Sequence, residues 1–261
     1  MSFTWAYPSG RLPVLAPIRF QPDGFPVLVK DNATGAWGAS YPLPLPRKPT
    51  GFPWTRKYDF TTLSSLPATF EWNHNPDTTK YSLSAAGLTL STASVTADLY
   101  AARNTLTHRI HGERPVGTLE LDFAGLADGD RAGLAAFRDR SAWIGVQRTG
   151  DRYEIAAVFN MTLDEWSGST LDLGRVVESV EVPEGVRKVW LRVSMDARAS
   201  GDKGARFEYS LDSTGRVWNG LGGVYELYTG WAFFLGYRFG VFNYATKGLG
   251  GSVRVVSFTS E

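Results

Sequence analysis

The architecture follows from Val189-Trp190-Leu191-Arg192-Val193-Ser194-Met195-Asp196. Val189, Leu191, Val193 and Met195 fall on one side, and Trp190, Arg192, Ser194 and Asp196 on the other. A period of two marks a strand with one buried and one wetter face. Upstream, Leu119, Leu121 and Phe123 repeat the pattern, and so do Leu88 and Leu90. Tyr153, Ile155, Ala157 and Phe159 follow the turn formers Gly150-Asp151; Phe207, Tyr209 and Leu211 alternate again, and 253–258 closes the chain. Strands this short, punctuated by Gly, Asp and Ser and free of any sustained 3.6-residue stripe, predict an all-β, antiparallel β-sandwich or jelly roll. Residues 128–137 could form a helical turn, although Gly129 and Gly133 weaken it.

The chain has 261 residues, 27 basic against 26 acidic side chains and a formal net charge of +1. That length supports one large sandwich or two small domains. Near-neutral charge gives no footprint for nucleic acid, no basic run marks a membrane surface, and no apolar stretch approaches the roughly 20 residues of a membrane span. Zero cysteines exclude disulfides, thiolate metal sites and cysteine nucleophiles. The three histidines, His74, His108 and His111, make a zinc site only if all converge. Met1-Ser2-Phe3-Thr4-Trp5 lacks the features of a secretory leader, so the expectation is a cytoplasmic protein, or a secreted one whose leader was removed. Nine Trp, eleven Tyr and fifteen Phe suit both strand-rich structure and a protein that stacks rings on a ligand.

Residues 1–53 hold most of the 14 prolines and read as a separate unit. Strand-like runs at 12–20 and 25–29 flank the turn Gln21-Pro22-Asp23-Gly24, and 42–53 reads as an extended linker. Two such strands bury no core alone, so the unit must pack on the domain from 54 onward or on another chain.

Three clusters carry candidate chemistry. In Phe70-Glu71-Trp72-Asn73-His74-Asn75-Pro76-Asp77, amides, an imidazole and a carboxylate suited to vicinal hydroxyls stand beside an indole. The same residues suit a turn whose Asn and Asp satisfy their own backbone while Trp72 anchors the core. In 102–109, an extended chain would put Arg103, Thr105, Thr107 and Arg109 on one face, lining a groove or joined in an ion-pair network. The aromatic run 231–244 supplies mostly core rings, with Arg238 and Tyr244 on a shared face. Asp128-Gly129-Asp130 resembles a fragment of a calcium loop, but suits a turn better. No nucleophile elbow, zinc-protease helix or phosphate loop occurs.

Taken in order, these stretches resemble the C-terminal concanavalin A-like sandwich of the family 43 glycoside hydrolases, the β-xylosidases and arabinofuranosidases. The matching residues are 72–77, 102–109, Gly129-Asp130-Arg131-Ala132-Gly133-Leu134 with Phe137, Ala142-Trp143-Ile144-Gly145-Val146, and Gly236-Tyr237-Arg238-Phe239 through Lys247, within 54–261. Ala16-Pro17-Ile18, Asp23-Gly24-Phe25-Pro26 and Trp37-Gly38-Ala39-Ser40-Tyr41-Pro42 look like the last blade of that family's propeller and its exit linker. The resemblance implies that the family's catalytic acids lie in earlier blades, so no residue here inherits their roles.

Three functions follow as expectations. The first is a non-catalytic carbohydrate-binding accessory domain for xylan or arabinoxylan-type chains of the plant cell wall. A sugar would stack on Trp72 or Trp143, with polar contacts from Asn73, His74, Asn75, Asp77, Arg103, Asn104, Arg109, Arg238 and Tyr244. Phe137 is the candidate for the family's loop that reaches toward the active-site mouth. The second is a hydrolase using an acid pair within the sandwich; the third is a structural piece bracing a catalytic propeller. No catalytic residue, metal ligand or organic cofactor is expected; room is left for a structural calcium, but none for nucleic acid or a membrane.

Overall fold

The computed structural model describes residues 2–46, 55–232 and 234–261. The N-terminal strands are β1 (Ser2–Trp5), β2 (Arg11–Val14), β3 (Ile18–Phe20) and β4 (Pro26–Leu28). They form two separate hairpins, β1 with β2 and β3 with β4. The 12–20 run is thus two strands, broken where Pro17 removes a donor. The turn at 21–24 closes as expected, with the Gln21 and Phe25 backbones bonded and Gly24 at φ +81°. Residues 47–53 of the expected linker lie outside the described residues.

The sandwich begins with β5 (Arg56–Asp59), β6 (Phe70–Trp72), β7 (Tyr81–Ser84), β8 (Gly87–Ser91), β9 (Leu106–Arg109) and β10 (Val116–Asp122). It continues through β11 (Asp130–Phe137), β12 (Arg140–Thr149), β13 (Arg152–Leu163), β14 (Thr170–Glu181) and β15 (Lys188–Met195). Last come β16 (Gly204–Ser210), β17 (Asn219–Glu226), β18 (Arg238–Ala245) and β19 (Ser252–Ser260). One sheet runs β17-β16-β15-β10-β19-β8-β7, with β5 also paired to β19; the other runs β14-β13-β12-β11-β18-β9-β6. All named strand pairs are antiparallel. No helix forms among the described residues.

Alternation produces the core directly. Leu119, Leu121, Val189, Leu191 and Val193 from one sheet meet Leu134, Ile144, Ile155 and Val241 from the other, all buried. Each such side chain contributes about 1.5–3 kcal/mol relative to an exposed one. The 128–137 stretch corrects the helical expectation. Asp128-Gly129 is a turn, with Gly129 at φ +90°, and the rest is strand β11. Gly133 and Gly145 stand opposite each other in β11 and β12, so close that a Cβ on either would strike the neighbouring backbone. A sheet, not a helix, demands those glycines.

A buried polar pair sits within this core. His108 Nδ1 is 2.8 Å from the Arg109 carbonyl, which can only accept, so Nδ1 carries the proton and Nε2 accepts the Tyr58 hydroxyl at 3.2 Å. Burial among Phe70, Phe258 and Tyr58 drives the imidazole down to about 4, against the help of the Arg109 carbonyl; the neighbouring His111, Arg238 and Arg56 add to the decrease. The unfolded imidazole takes a proton near pH 6.5, so the contribution of His108 is complete above that value. It is lost as pH falls from about 6.5 to about 4, by at most about 3 kcal/mol. Urea unfolding at pH 7 and pH 4.5 should show this slope in the wild type and a shallower one in His108→Phe. Equal slopes would place the acid sensitivity elsewhere.

The first hairpin is seated on the sandwich. Tyr237 N–H donates to the Pro8 carbonyl at 3.0 Å, and Gly10 and Gly236 approach so closely that a Cβ at either would strike the other's segment. Arg11 lies between the rings of Phe3 (4.0 Å) and Phe234 (3.3 Å).

Candidate functional site

The outer face of the second sheet is not left to solvent. Residues 94–104 cross it, tied down by Ala245 N–H to Ser94 and by Thr96 N–H to Ala245. Leu99, Tyr100 and Ala102 from this segment pack on Ala135, Trp143, Val158, Met161, Phe242 and Tyr244 as a second buried cluster. Trp143 and Tyr244 are each 1% exposed. This corrects two candidate contacts: a ring under that cover offers no face to a sugar.

A cleft of about 640 Å³ opens beside the covering segment. Its walls are the end of β6, the β11–β12 and β13–β14 turns, and the chain entering β18. Register explains how Glu71, Thr107 and Arg238 come together in its lining. β18 sets Arg238 opposite Arg109 of β9, and β9 sets Thr107 opposite Glu71 of β6. Two facing guanidiniums repel; Glu71 relieves them by giving Oε1 to Arg109 (3.4 Å) and Oε2 to Arg238. The Arg238 hydrogen bond, with the charges of both arginines, holds the Glu71 carboxyl below its usual range despite partial burial. Arg238 also donates to the Thr107 hydroxyl at 3.1 Å. Of the two readings of the 102–109 cluster, groove and ion-pair network, Thr107 joins both, and Arg109 belongs to the network.

The remaining candidates separate into lining and support. Asn73 and His74 line the cleft, and His74 Nε2 donates to the Tyr100 carbonyl at 2.6 Å. Trp72 borders it, but its ring packs on Tyr81 at 4.7 Å and closes the edge of the main core. Phe137 is a buried wall 5.7 Å from the Tyr100 ring, on a strand and not on a reaching loop. Asn104 is 2% exposed and spent, since its amide clamps the Asp77 backbone in both directions, at 2.7 and 2.9 Å. Its φ of +63° breaks the alternation, leaving Arg103 off the strand that carries Thr107 and Arg109. Arg103 braces the neighbouring turn through the Asn75 carbonyl at 2.9 Å, and the Asp77 carboxylate caps Thr79. Asn75, Asp77, Arg103 and Asn104 therefore act as scaffold.

Several lining residues lay outside the sequence candidates: Asp98, Tyr100, Arg138, Asp139, Asp164, Glu165 and Thr170. Asp98 accepts from Thr170 (2.5 Å) and from Tyr100 N–H (2.8 Å), tying the covering segment to β14. Asp139 is raised by burial, against the pull of Arg138 at 2.9 Å. Asp164 caps its own turn. Glu71, Asp98, Asp139 and Asp164 thus each have a structural partner. Asp128 pairs with Lys247 and Asp130 is buried; among the described residues no cluster of His, Asp and Glu is arranged to hold a metal ion.

Two packed antiparallel sheets make an all-β sandwich, and the cleft at its edge mixes the aromatic walls of Trp72, Tyr100 and Phe137 with polar side chains. The chain belongs to the beta xylosidase C-terminal concanavalin A-like domain family, whose model matches residues 57–260. A structure of a GH43 glycoside hydrolase, engineered to display both endo-xylanase and exo-arabinofuranosidase activity, is 41% identical with a TM-score of 0.90; the match covers 99% of this chain and 51% of that one. A bifunctional GH43-CE protein from Bacteroides eggerthii is 32% identical with a TM-score of 0.82, over 99% of this chain and 32% of that one. The GH43 BlXynB protein from Bacillus licheniformis, 19% identical with a TM-score of 0.74 over 96% of this chain and 47% of that one, shares the fold. The chain thus spans about half the length of the first relative and a third of the second. A comparison with curated proteins found no match.

Proposed function

We propose that this chain is a non-catalytic carbohydrate-binding accessory sandwich, and that the cleft beside β6 takes a xylan- or arabinoxylan-type chain. The observation that carries the reading is the lining itself, where Asn73, His74, Asp98 and Glu165 surround a space of oligosaccharide size. Planar amides, imidazoles and carboxylates match the paired hydroxyls of a sugar ring. The family match and the xylan-related activity in one relative's description support the ligand class.

The same reading gives the N-terminal hairpins a role in docking a catalytic propeller. Trp5, Phe20, Phe25, Leu43 and Leu45 are exposed apolar side chains within one short segment, a concentration that suits a protein contact. The relatives' greater length leaves room for such a domain.

Titration calorimetry of the full chain with xylohexaose tests the binding role. Saturable heat is expected, and Asn73→Ala should weaken binding about 3–10-fold, the worth of one lost hydrogen bond. Its exposed side chain makes the thermal midpoint insensitive to the change. No heat from folded wild type, or nitrophenol released from a xyloside in an acid-residue-dependent way, would overturn the reading.

A further inference from the structure

The β13–β14 turn carries an aromatic surface beside the cleft. Trp166 is 74% exposed, and the hydrogen bonds of its turn fix its backbone. Asp164 Oδ1 accepts N–H from Trp166 (3.1 Å) and Ser167 (2.7 Å), Asp164 N–H donates to Ser169 (2.8 Å), and Gly168 at φ +69° returns the chain. The Trp166 ring lies 5.5 Å from Trp231 with planes 33° apart, and Trp231 meets Phe234 edge-on at 5.9 Å. The residues next to both indoles, Glu165 and Ala232, line the cleft. Two indoles in tilted contact, with the Trp166 ring largely exposed, present an apolar aromatic surface of the kind that accepts the C–H face of a sugar ring.

Charge narrows the ligand further. Five carboxylate residues line the cleft against the guanidiniums of Arg138 and Arg238. Four of these acids also serve structural partners, so the excess acid disfavours an anion while Glu165 is the carboxylate best placed to accept from hydroxyl donors. Resting on the saccharide reading above, we infer that Trp166 and Trp231 form a stacking rim where an uncharged pentosyl chain enters the cleft, and that the cleft discriminates against chains bearing uronic acid.

Calorimetry of the full chain with xylohexaose and with a glucuronic-acid-substituted xylo-oligosaccharide separates the outcomes. Trp166→Ala should weaken xylohexaose binding about tenfold while the chain stays folded, with Trp166→Phe retaining most of the affinity. The acidic oligosaccharide should bind at least fivefold more weakly than the neutral one, and the gap should narrow in high salt. If Trp166→Ala binds like wild type while Asn73→Ala is impaired, the rim is rejected and the cleft stands. Equal affinity for the two sugars rejects the charge argument. If Trp166→Ala disrupts only association with a catalytic propeller, the rim is a protein contact and the inference fails. Absence of binding by wild type removes both the rim and the reading beneath it.

Discussion

Arg138→Met is expected to lower the unfolding free energy by about 3–5 kcal/mol, the cost of breaking a buried charge pair from one side. The Arg138 side chain is fully buried, and it holds together the loop that enters β18. Nη1 donates to the Tyr228 carbonyl at 2.8 Å, and Nη2 to the Gly230 carbonyl at 2.6 Å. Tyr7, Tyr228 and Tyr237 surround the guanidinium with their rings at 4.9–5.7 Å. Methionine keeps much of the volume but supplies no donor, so two carbonyls and the Asp139 carboxylate lose their partner. The pH dependence identifies the cause. Burial already raises the Asp139 carboxyl, and losing Arg138 raises it further. The penalty should therefore be smaller at acid than at neutral pH, because protonation of Asp139 sheds the charge that Arg138 no longer balances. Urea unfolding at neutral and at acid pH measures this; a loss below about 1 kcal/mol, or one unchanged by pH, would show that the pair does not anchor the loop.

Trp143→Ala should cost about 3–5 kcal/mol through the cavity it leaves. The indole is 1% exposed and meets Phe242 edge-on at 5.4 Å beneath the 94–104 segment. Loss of the ring removes the surface on which Leu99 and Tyr100 rest, so amide exchange should rise first in that segment. Trp143→Phe should recover most of the stability. Unchanged denaturant midpoints for Trp143→Ala would mean that the outer face of the second sheet is open after all.

The different fates of Trp143 and Val189 mark the limit of what the sequence made legible. Val189, Leu191, Val193 and Met195 alternate because β15 has one core face and one wetter face, so the pattern is local and readable. β11 is buried on both faces over most of its length, which erases alternation and left 128–137 open to a helical reading. The resemblance to the family supplied the architecture beyond single strands. It did not reveal that 94–104 folds over a sheet, because Leu99 and Tyr100 follow no period and their contacts are distant in sequence. Asn73, His74 and Arg238 were legible as site candidates from their residue types. Asp98, Arg138 and Asp164 were not, since each gains its place from a turn or covering segment rather than a motif. Asn104 misled because its buried, left-handed position is invisible in a list of polar residues. The sequence does carry one signal for Trp166: a tryptophan between Asp164-Glu165 and Ser167-Gly168 stands among turn formers, where core burial is rare.

The carbohydrate-binding role rests on the cleft beside β6 being a saccharide site. A crystal structure of the full chain soaked with xylohexaose tests it most directly. Pyranose density is expected between Asn73-His74 and the β13–β14 turn, with one ring lying on Trp166. Sugar bound elsewhere on the sandwich, or a cleft holding only solvent at saturating xylohexaose, would contradict it.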